Sequence, residues 1–525
     1  MIYNRKFLFI SMIIVLLIST LIYLCSTQKK SDKDNLYENK ISEAKNAKKK
    51  SYGVASNNPI AVKIGEKIIE DGGNSVDASI GVSYALAITE PHTSGLGGGG
   101  AMITKSNSKF EKPRLLEYKD MSGYNYKKSD ETGVPGLVSG LHQAHKNGGS
   151  MDEKKIMNYV IPLAKDGFEV DDELDRSLKI YGDDIDKDSP FFKDSEPLEE
   201  GDIVKQKALT KTLEGIRDNG VSYFYDDIAG DIADQADSHL KKKDFKNYQP
   251  ADKEAIETDY KGNKIYSASN PLGGTLMAQG LKLDEIINKK NTKKEYVNSI
   301  ISGRNLVLEN KEIVNDQESA YNNYLERDYI IDKYKELDKY NGMKPSDGTD
   351  GNTTHFVVID KEGQVTSTTN SLASYFGTGK FVDQGFYLND SLNNFSKGSK
   401  NPNRGDKHKF PRSYTAPTII EGKDFTMGIG SPGGNKIPTI LNQVMIQYFN
   451  DDKSIQDIID KPRFYNDGDT VYYEKDIDDD YLKQFKKMGY KVKQGKDTPY
   501  FGSVQAAILN KENNAVETGR DVGNR

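Results

Sequence analysis

The sequence predicts an α+β protein, and three observations carry that reading. Ahead of residue 353 most apolar residues recur at helical spacing, Ile60, Val62, Ile64 and Ile68 being the clearest set. Beyond it, short runs rich in Val, Ile and Thr alternate with turn residues, as strands do. At the junction a flexible polar stretch, Asp347-Gly-Thr-Asp-Gly-Asn-Thr-Thr-His-Phe356, passes abruptly into the rigid run Phe356-Val-Val-Ile359.

Composition bounds the rest. The 525 residues are 35% hydrophobic, which suits a soluble body with a large core. A formal net charge of −6 argues mildly against a polyanionic partner, nucleic acid included, although the average conceals local basic runs. The single cysteine, Cys25, excludes an internal disulfide. The six histidines are too scattered to suggest a metal, and no cofactor is expected.

At the start, an apolar run from Phe7 to Leu24 stands behind Arg5 and Lys6 and ahead of Lys29 and Lys30. Residues 1–30 are therefore expected to be a secretory signal or membrane anchor, with Cys25 a candidate for lipid attachment. Residues 31–51 are charged and poor in apolar groups, as in a tether. Either way the body is expected outside the membrane, at the cell surface.

Pro59–Glu70 is expected to be a helix, with Pro59 in its first turn and Gly72-Gly73 as its stop. Ser75–Ala87 is a second helix, rich in small residues that permit close packing. Gly97 to Gly100 then lead into a strand at Ala101–Thr104. There the glycines would let the backbone run close to a ligand or to other backbone. A turn at Gly133–Gly136 opens a helix over Leu137–His145. Between Ser150 and Lys290 the pattern predicts amphipathic helices, including 202–217 and 223–241. The polar stretch from Lys289 to Asn352 would lead to an exposed loop. Strands are expected at 354–359, 365–371, 385–388, 416–420 and 425–428, and helices at 437–448 and 454–461.

The junction suggests chemistry. A hydroxyl on Thr353 can reach the carbonyl of Asn352, and cutting that bond would free an α-amine beside the hydroxyl. Such an amine, with a pKa of roughly 7.7–8.0, can act as the general base for its own residue. The turn Gly430-Ser-Pro-Gly-Gly-Asn-Lys436 has the make-up of an anion trap, since Gly433 and Gly434 can aim amides without obstruction. Arg404, Lys407, His408, Lys409 and Arg412 form a basic run suited to a substrate with many carboxylates. His355 is expected to point away from the face of Thr353 and to be structural.

Taken together, Asn352-Thr-Thr-His-Phe-Val-Val-Ile-Asp360, Gly430 to Gly434, Gly73-Asn-Ser-Val-Asp-Ala78 and Gly97 to Gly100 resemble the γ-glutamyltransferase family, from about Tyr52 to the C-terminus. Gly377-Thr-Gly-Lys-Phe381 and Gly385-Phe-Tyr-Leu-Asn389 look most like the branch acting on capsular poly-γ-glutamate. The resemblance implies a four-layer αββα sandwich, the N-terminal-nucleophile hydrolase fold, self-cleaved between Asn352 and Thr353. Residues 52–352 would form the large subunit and 353–525 the small catalytic one.

It also implies roles at the site. Thr353 would be the nucleophile, Gly433 and Gly434 the oxyanion hole, and Ser371 the second hydroxyl orienting Thr353. Ser413 would contact substrate, with Tyr414 where the family has a second serine. Lys119 stands where the family has an arginine that clamps the donor α-carboxylate. Asn394 replaces an aspartate that holds a free α-amine; a neutral amide suits an acylated nitrogen, hence a polymer. Arg520 matches an arginine of the capsule-cleaving branch. The segment from Ser396 to Phe410 is short for a lid and would leave a groove open. The implied activity is cleavage of poly-γ-glutamate through a threonyl ester, with transfer to water or to a cell-wall (peptidoglycan) amine. Alternatives are a general exported γ-glutamyltransferase acting on glutathione-like peptides, or a non-catalytic protein that retains capsule.

Overall fold

Two six-stranded sheets organise the chain. The computed structural model describes residues 50–108, 110–317, 321–337, 352–495 and 501–521. The expected anchor at Phe7–Leu24, Cys25 and residues 338–351 ahead of the Asn352–Thr353 junction lie outside these residues. From Ser51 onward the chain forms one unit.

In chain order the strands are β1 (Gly53–Ala55), β2 (Gly99–Lys105), β3 (Arg114–Tyr118), β4 (Ala251–Glu254), β5 (Ile256–Tyr260) and β6 (Asn263–Ser267). They continue as β7 (Asn352–Ile359), β8 (Val365–Ala373), β9 (Thr418–Glu421), β10 (Phe425–Gly430), β11 (Gln505–Asn510) and β12 (Val516–Arg520). The first sheet runs β1-β7-β8-β2-β3-β4 and the second β12-β11-β10-β9-β6-β5. Every neighbouring pair in both is antiparallel.

The period-two pattern of β7 sorts its side chains between two cores. Phe356 and Val358 join Ile68, Val82 and Leu86 from helices α1 (Pro59–Glu70) and α2 (Ser75–Thr89). Val357 and Ile359 meet Ile419, Ala507 and Leu509 of the second sheet. That sheet's other face, with Ile420, Met427 and Ile429, packs on Met277, Val297 and Leu441. These come from helices α3 (Gly274–Ile287), α4 (Lys293–Glu309) and α5 (Ile437–Asn450). A strand buried on both faces must be apolar throughout, which is why Phe356 to Ile359 is an unbroken run.

Helix α2 starts where Asn74 accepts hydrogen bonds from the Val76 and Asp77 amides while the Asp77 carboxylate accepts from the Asn74 amide at 2.9 Å. All fifteen of its residues are buried, which explains its small side chains. The glycine run meets its expectation. A Cβ on Gly97 would lie 2.0 Å from the Tyr387 carbonyl oxygen, and one on Gly98 would lie 2.4 Å from that of Ser371. Backbone therefore passes backbone beside the end of β8.

Four expectations are corrected. Strands β4, β5 and β6 lie inside the stretch expected to be helical; Ile256, Thr258 and Tyr260 do alternate inward, but charged neighbours mask the period. The helix expected at 202–217 begins at Lys207, because Ile203 and Val204 pair with Phe168 and Glu169. The helix expected at 223–241 breaks into a π-helical turn at Tyr223–Asp227 and a short helix at Ala229–Gln235. Residues 385–388 form no strand: Gly385 has φ +93°, the Val382 amide donates to the Phe386 carbonyl, and only isolated bridges remain.

Candidate active site

Thr353 sits at the N-terminal end of β7, where pairing with β8 slips. Asn352 faces Ala373 but Thr354 faces Asn370, so an extra residue bulges opposite Thr353. A bulge re-aims the side chains around it. Here it brings the Thr353 Oγ1 to 3.3 Å from the Ser371 Oγ, both residues being almost fully buried. The Ser371 hydroxyl also accepts from the Ala373 amide at 2.9 Å, which fixes its orientation.

Both hydroxyls line a cavity of about 550 Å³. Of the residues expected at the site, Lys119, Asn394, Ser413, Tyr414 and Gly434 line it too. Gly433 is the neighbour that starts the turn. Its φ is +133° and that of Gly434 is +56°, conformations that side chains disfavour. The turn leads through Gly434–Lys436 into α5.

Arg304, missed from sequence, anchors that turn. Fully buried on α4, it donates to the Asn435 carbonyl, to the Asn435 Oδ1 at 2.8 Å and to the Asn466 carbonyl at 3.3 Å. In the sequence it is one arginine on an amphipathic helix, with nothing to mark its distant partners.

Lys119 is 2% exposed, and its ammonium makes no hydrogen bond or ion pair with another described residue. Its backbone carbonyl accepts from the Tyr248 hydroxyl at 2.7 Å, which holds the end of β3 in place. Beside it, burial pushes the Asp120 carboxyl up to about 7 against the pull of the Lys119 ammonium, and Asp120 accepts from the Ser391 hydroxyl. A cation buried in such a wall is costly to leave without a counter-charge.

Asn394 ends a short turn, Ser391–Asn394, and its carbonyl accepts from the Asn403 Nδ2 at 2.8 Å. Asn389, read in the sequence as part of a motif and not as a site residue, ties this segment to the glycine run. Its amide donates to the Gly97 carbonyl at 2.7 Å and the Gly133 carbonyl at 2.9 Å. Ser396, Lys397, Gly398 and Asn401, from the segment expected as a short lid, form part of the cavity wall.

Two site expectations are not met. Arg520 lies on the edge strand β12, held by backbone hydrogen bonds to Gln456, and does not line the cavity. The basic run is largely neutralised by acids: Lys409 pairs with Asp316 at 3.1 Å, and Arg404 lies 3.9 Å from Asp406. Of that run only Arg412 reaches the cavity.

His355 shares the face of Thr353, contrary to expectation, because residues two apart on a strand point the same way. Its ring lies between the sheets, Nδ1 2.8 Å from the Thr369 Oγ1, and burial pulls its pKa down to about 3. The native protein thus keeps the ring neutral where the unfolded chain takes up a proton near 6.5. Between those values the unfolded state binds more protons, so this group's stabilisation is intact above about 6.5 and is lost as pH falls toward 3. Over that window wild type should lose up to about 1.4 kcal/mol per pH unit relative to His355→Gln. Urea unfolding of both proteins at pH 7, 5 and 4 measures the difference; parallel pH dependences would refute a neutral buried ring.

Residues 61–524 match the family described as Gamma-glutamyltranspeptidase. The chain belongs to that family, whose members are γ-glutamyltransferase and hydrolase enzymes. It is 35% identical over 494 residues to the Capsule biosynthesis protein CapD proenzyme of Bacillus anthracis, covering 91% of this chain and 90% of that one. It is 30% identical to the Glutathione hydrolase proenzyme of Escherichia coli (strain K12), covering 84% and 85%. Among solved structures, a cephalosporin acylase from Bacillus halodurans superposes with a TM-score of 0.81 at 20% identity, over 90% of this chain and 94% of that one; this shows a shared fold.

Proposed function

We propose that the protein is a self-processing γ-glutamyl hydrolase or transferase that cleaves poly-γ-glutamate. The observation that carries this reading is the company of Thr353. Within one cavity it has a hydroxyl partner in Ser371, a glycine turn at Gly434 and the ammonium of Lys119, which is unpaired among the described residues. The proenzyme relatives support processing, and the capsule-named relative supports the polymer.

In this reading the two packed sheets with helices outside them are the four-layer αββα sandwich of the N-terminal-nucleophile hydrolases. The Thr353 hydroxyl attacks the Asn352 carbonyl, the peptide C–N bond breaks and an ester forms. Water hydrolyses that ester, releasing residues 52–352 as the large subunit and 353–525 as the small one. The new α-amine then takes the hydroxyl proton while Oγ1 attacks a γ-amide of the substrate. The Gly433 and Gly434 amides hold the oxyanion, and the proton passes to the departing nitrogen. Water, or an amine of the cell wall, resolves the γ-glutamyl ester. Lys119 receives the α-carboxylate as a point charge, with Ser413 and Tyr414 nearby. Asn394 bonds to the acylated nitrogen that every internal unit of the polymer carries. The N-terminal stretch exports and tethers this body to the outer face of the membrane.

Comparing kcat/KM for the polymer with that for a γ-glutamyl anilide bearing a free α-amine tests the choice of substrate. Preference for the polymer by about tenfold or more per bond is expected, since Asn394 offers no charge to an ammonium. Preference for the anilide would instead favour a glutathione-type enzyme.

A further inference from the structure

One stretch of the cavity wall is poorly satisfied. Arg412 is 11% exposed at its side chain, and its Nη1 donates to the Lys311 carbonyl at 3.1 Å. The same atom lies 3.5 Å from the Glu312 Oε2. An arginine that is well matched to a carboxylate makes two parallel bonds of roughly 2.7–2.9 Å. Here no hydrogen bond forms at all: the Glu312 Oε2 is shut from solvent and accepts from no other described residue. The Glu312 side chain is 40% exposed, but leaving this one oxygen, shut from water, without a donor is unfavourable. Glu312 thus stands where a carboxylate is wanted without satisfying the place.

The surrounding charges agree. Among the described residues, the cations Lys119, Lys397 and Arg412 line the cavity with one acid, Glu312, in a chain whose net charge is −6. Lys119 suffices for the α-carboxylate of one γ-glutamyl unit. The remaining cations exceed what a single unit needs.

We propose that Arg412, assisted by Lys397, is a second carboxylate subsite, and that Glu312 is a placeholder displaced from Arg412 when substrate arrives. This rests on the polymer reading above and deepens it. The enzyme reads two successive α-carboxylates, one at Lys119 beside the attacked carbonyl and one at Arg412 on the adjoining unit.

The test is the ratio of kcat/KM on γ-linked di- and triglutamate to that on a γ-glutamyl anilide, for wild type, Arg412→Gln, Glu312→Gln and Lys397→Gln. Arg412→Gln should lower the ratio about tenfold, mainly through KM on the oligomers. Lys397→Gln should lower it in the same direction, and its exposed position carries little folding risk. Glu312→Gln should raise the ratio, because the competing carboxylate is gone. An unchanged ratio in Arg412→Gln, or a fall in Glu312→Gln matching that in Arg412→Gln, overturns the subsite and makes the pair structural. Should wild type hydrolyse the anilide and no oligomer, the polymer reading itself fails; should it cleave oligomers with a ratio indifferent to Arg412, only the subsite does.

Discussion

Thr353→Ala is expected to leave the polypeptide uncut and without activity. The substitution removes the only atom proposed to attack both the Asn352 carbonyl and the substrate. Processing and turnover therefore disappear together, with hydrolysis down by about 10³-fold or more. Thr353→Ser keeps a hydroxyl and should still yield two fragments, the smaller beginning with the replaced residue. Intact-mass measurement on wild type and both variants, alongside the polymer assay, gives the answer. An alanine variant that still splits at this bond, or still degrades polymer at the wild-type rate, would sink the mechanism. Because Thr353 touches Ser371 at 3.3 Å and lies in a wall built by other residues, the alanine variant should remain folded.

Gly433→Ala is expected to cost about 10²–10³ in kcat, the usual range for losing an oxyanion donor. At φ +133° an alanine is strained by about 1–3 kcal/mol, and relief of that strain turns the amides of the loop. The new Cβ would also lie 2.9 Å from the Ile440 Cδ1, the flexible end of a side chain, so the fold should survive. Gly72→Ala provides the control. Its φ is +96° with nothing within 4 Å, so it carries backbone strain far from the cavity and should lower Tm while leaving kcat intact. Equal kcat losses in the two variants would assign the effect to general strain and remove Gly433 from the anion trap.

Much of the site was legible because its parts carry local signals. Thr353 stands at a change from polar, glycine-containing chain to an apolar strand, and Gly433 and Gly434 fall in a turn that only small residues can make. Ser371 followed from the family resemblance, eighteen positions on, and the antiparallel pairing of β7 with β8 places it beside Thr353. Other residues were silent. Arg304, Asn389 and Glu312 act through partners remote in sequence, such as Asn435, Gly97 and Arg412. The strands β4 to β6 were hidden because they are partly exposed and carry charges on their outer faces. Arg520, a motif position by resemblance, lies on an edge strand and does not line the cavity.

By itself the sequence determined the mixed helix-and-sheet class, the apolar strand Phe356 to Ile359 and the threonine near its start. All three depend on periodicity and backbone freedom, which neighbouring residues set. Only the tertiary structure decided which cations face the cavity, which are spent on acids elsewhere, and that His355 sits neutral between the sheets. Those outcomes depend on pairing and desolvation between segments distant in the chain, and no local pattern encodes them.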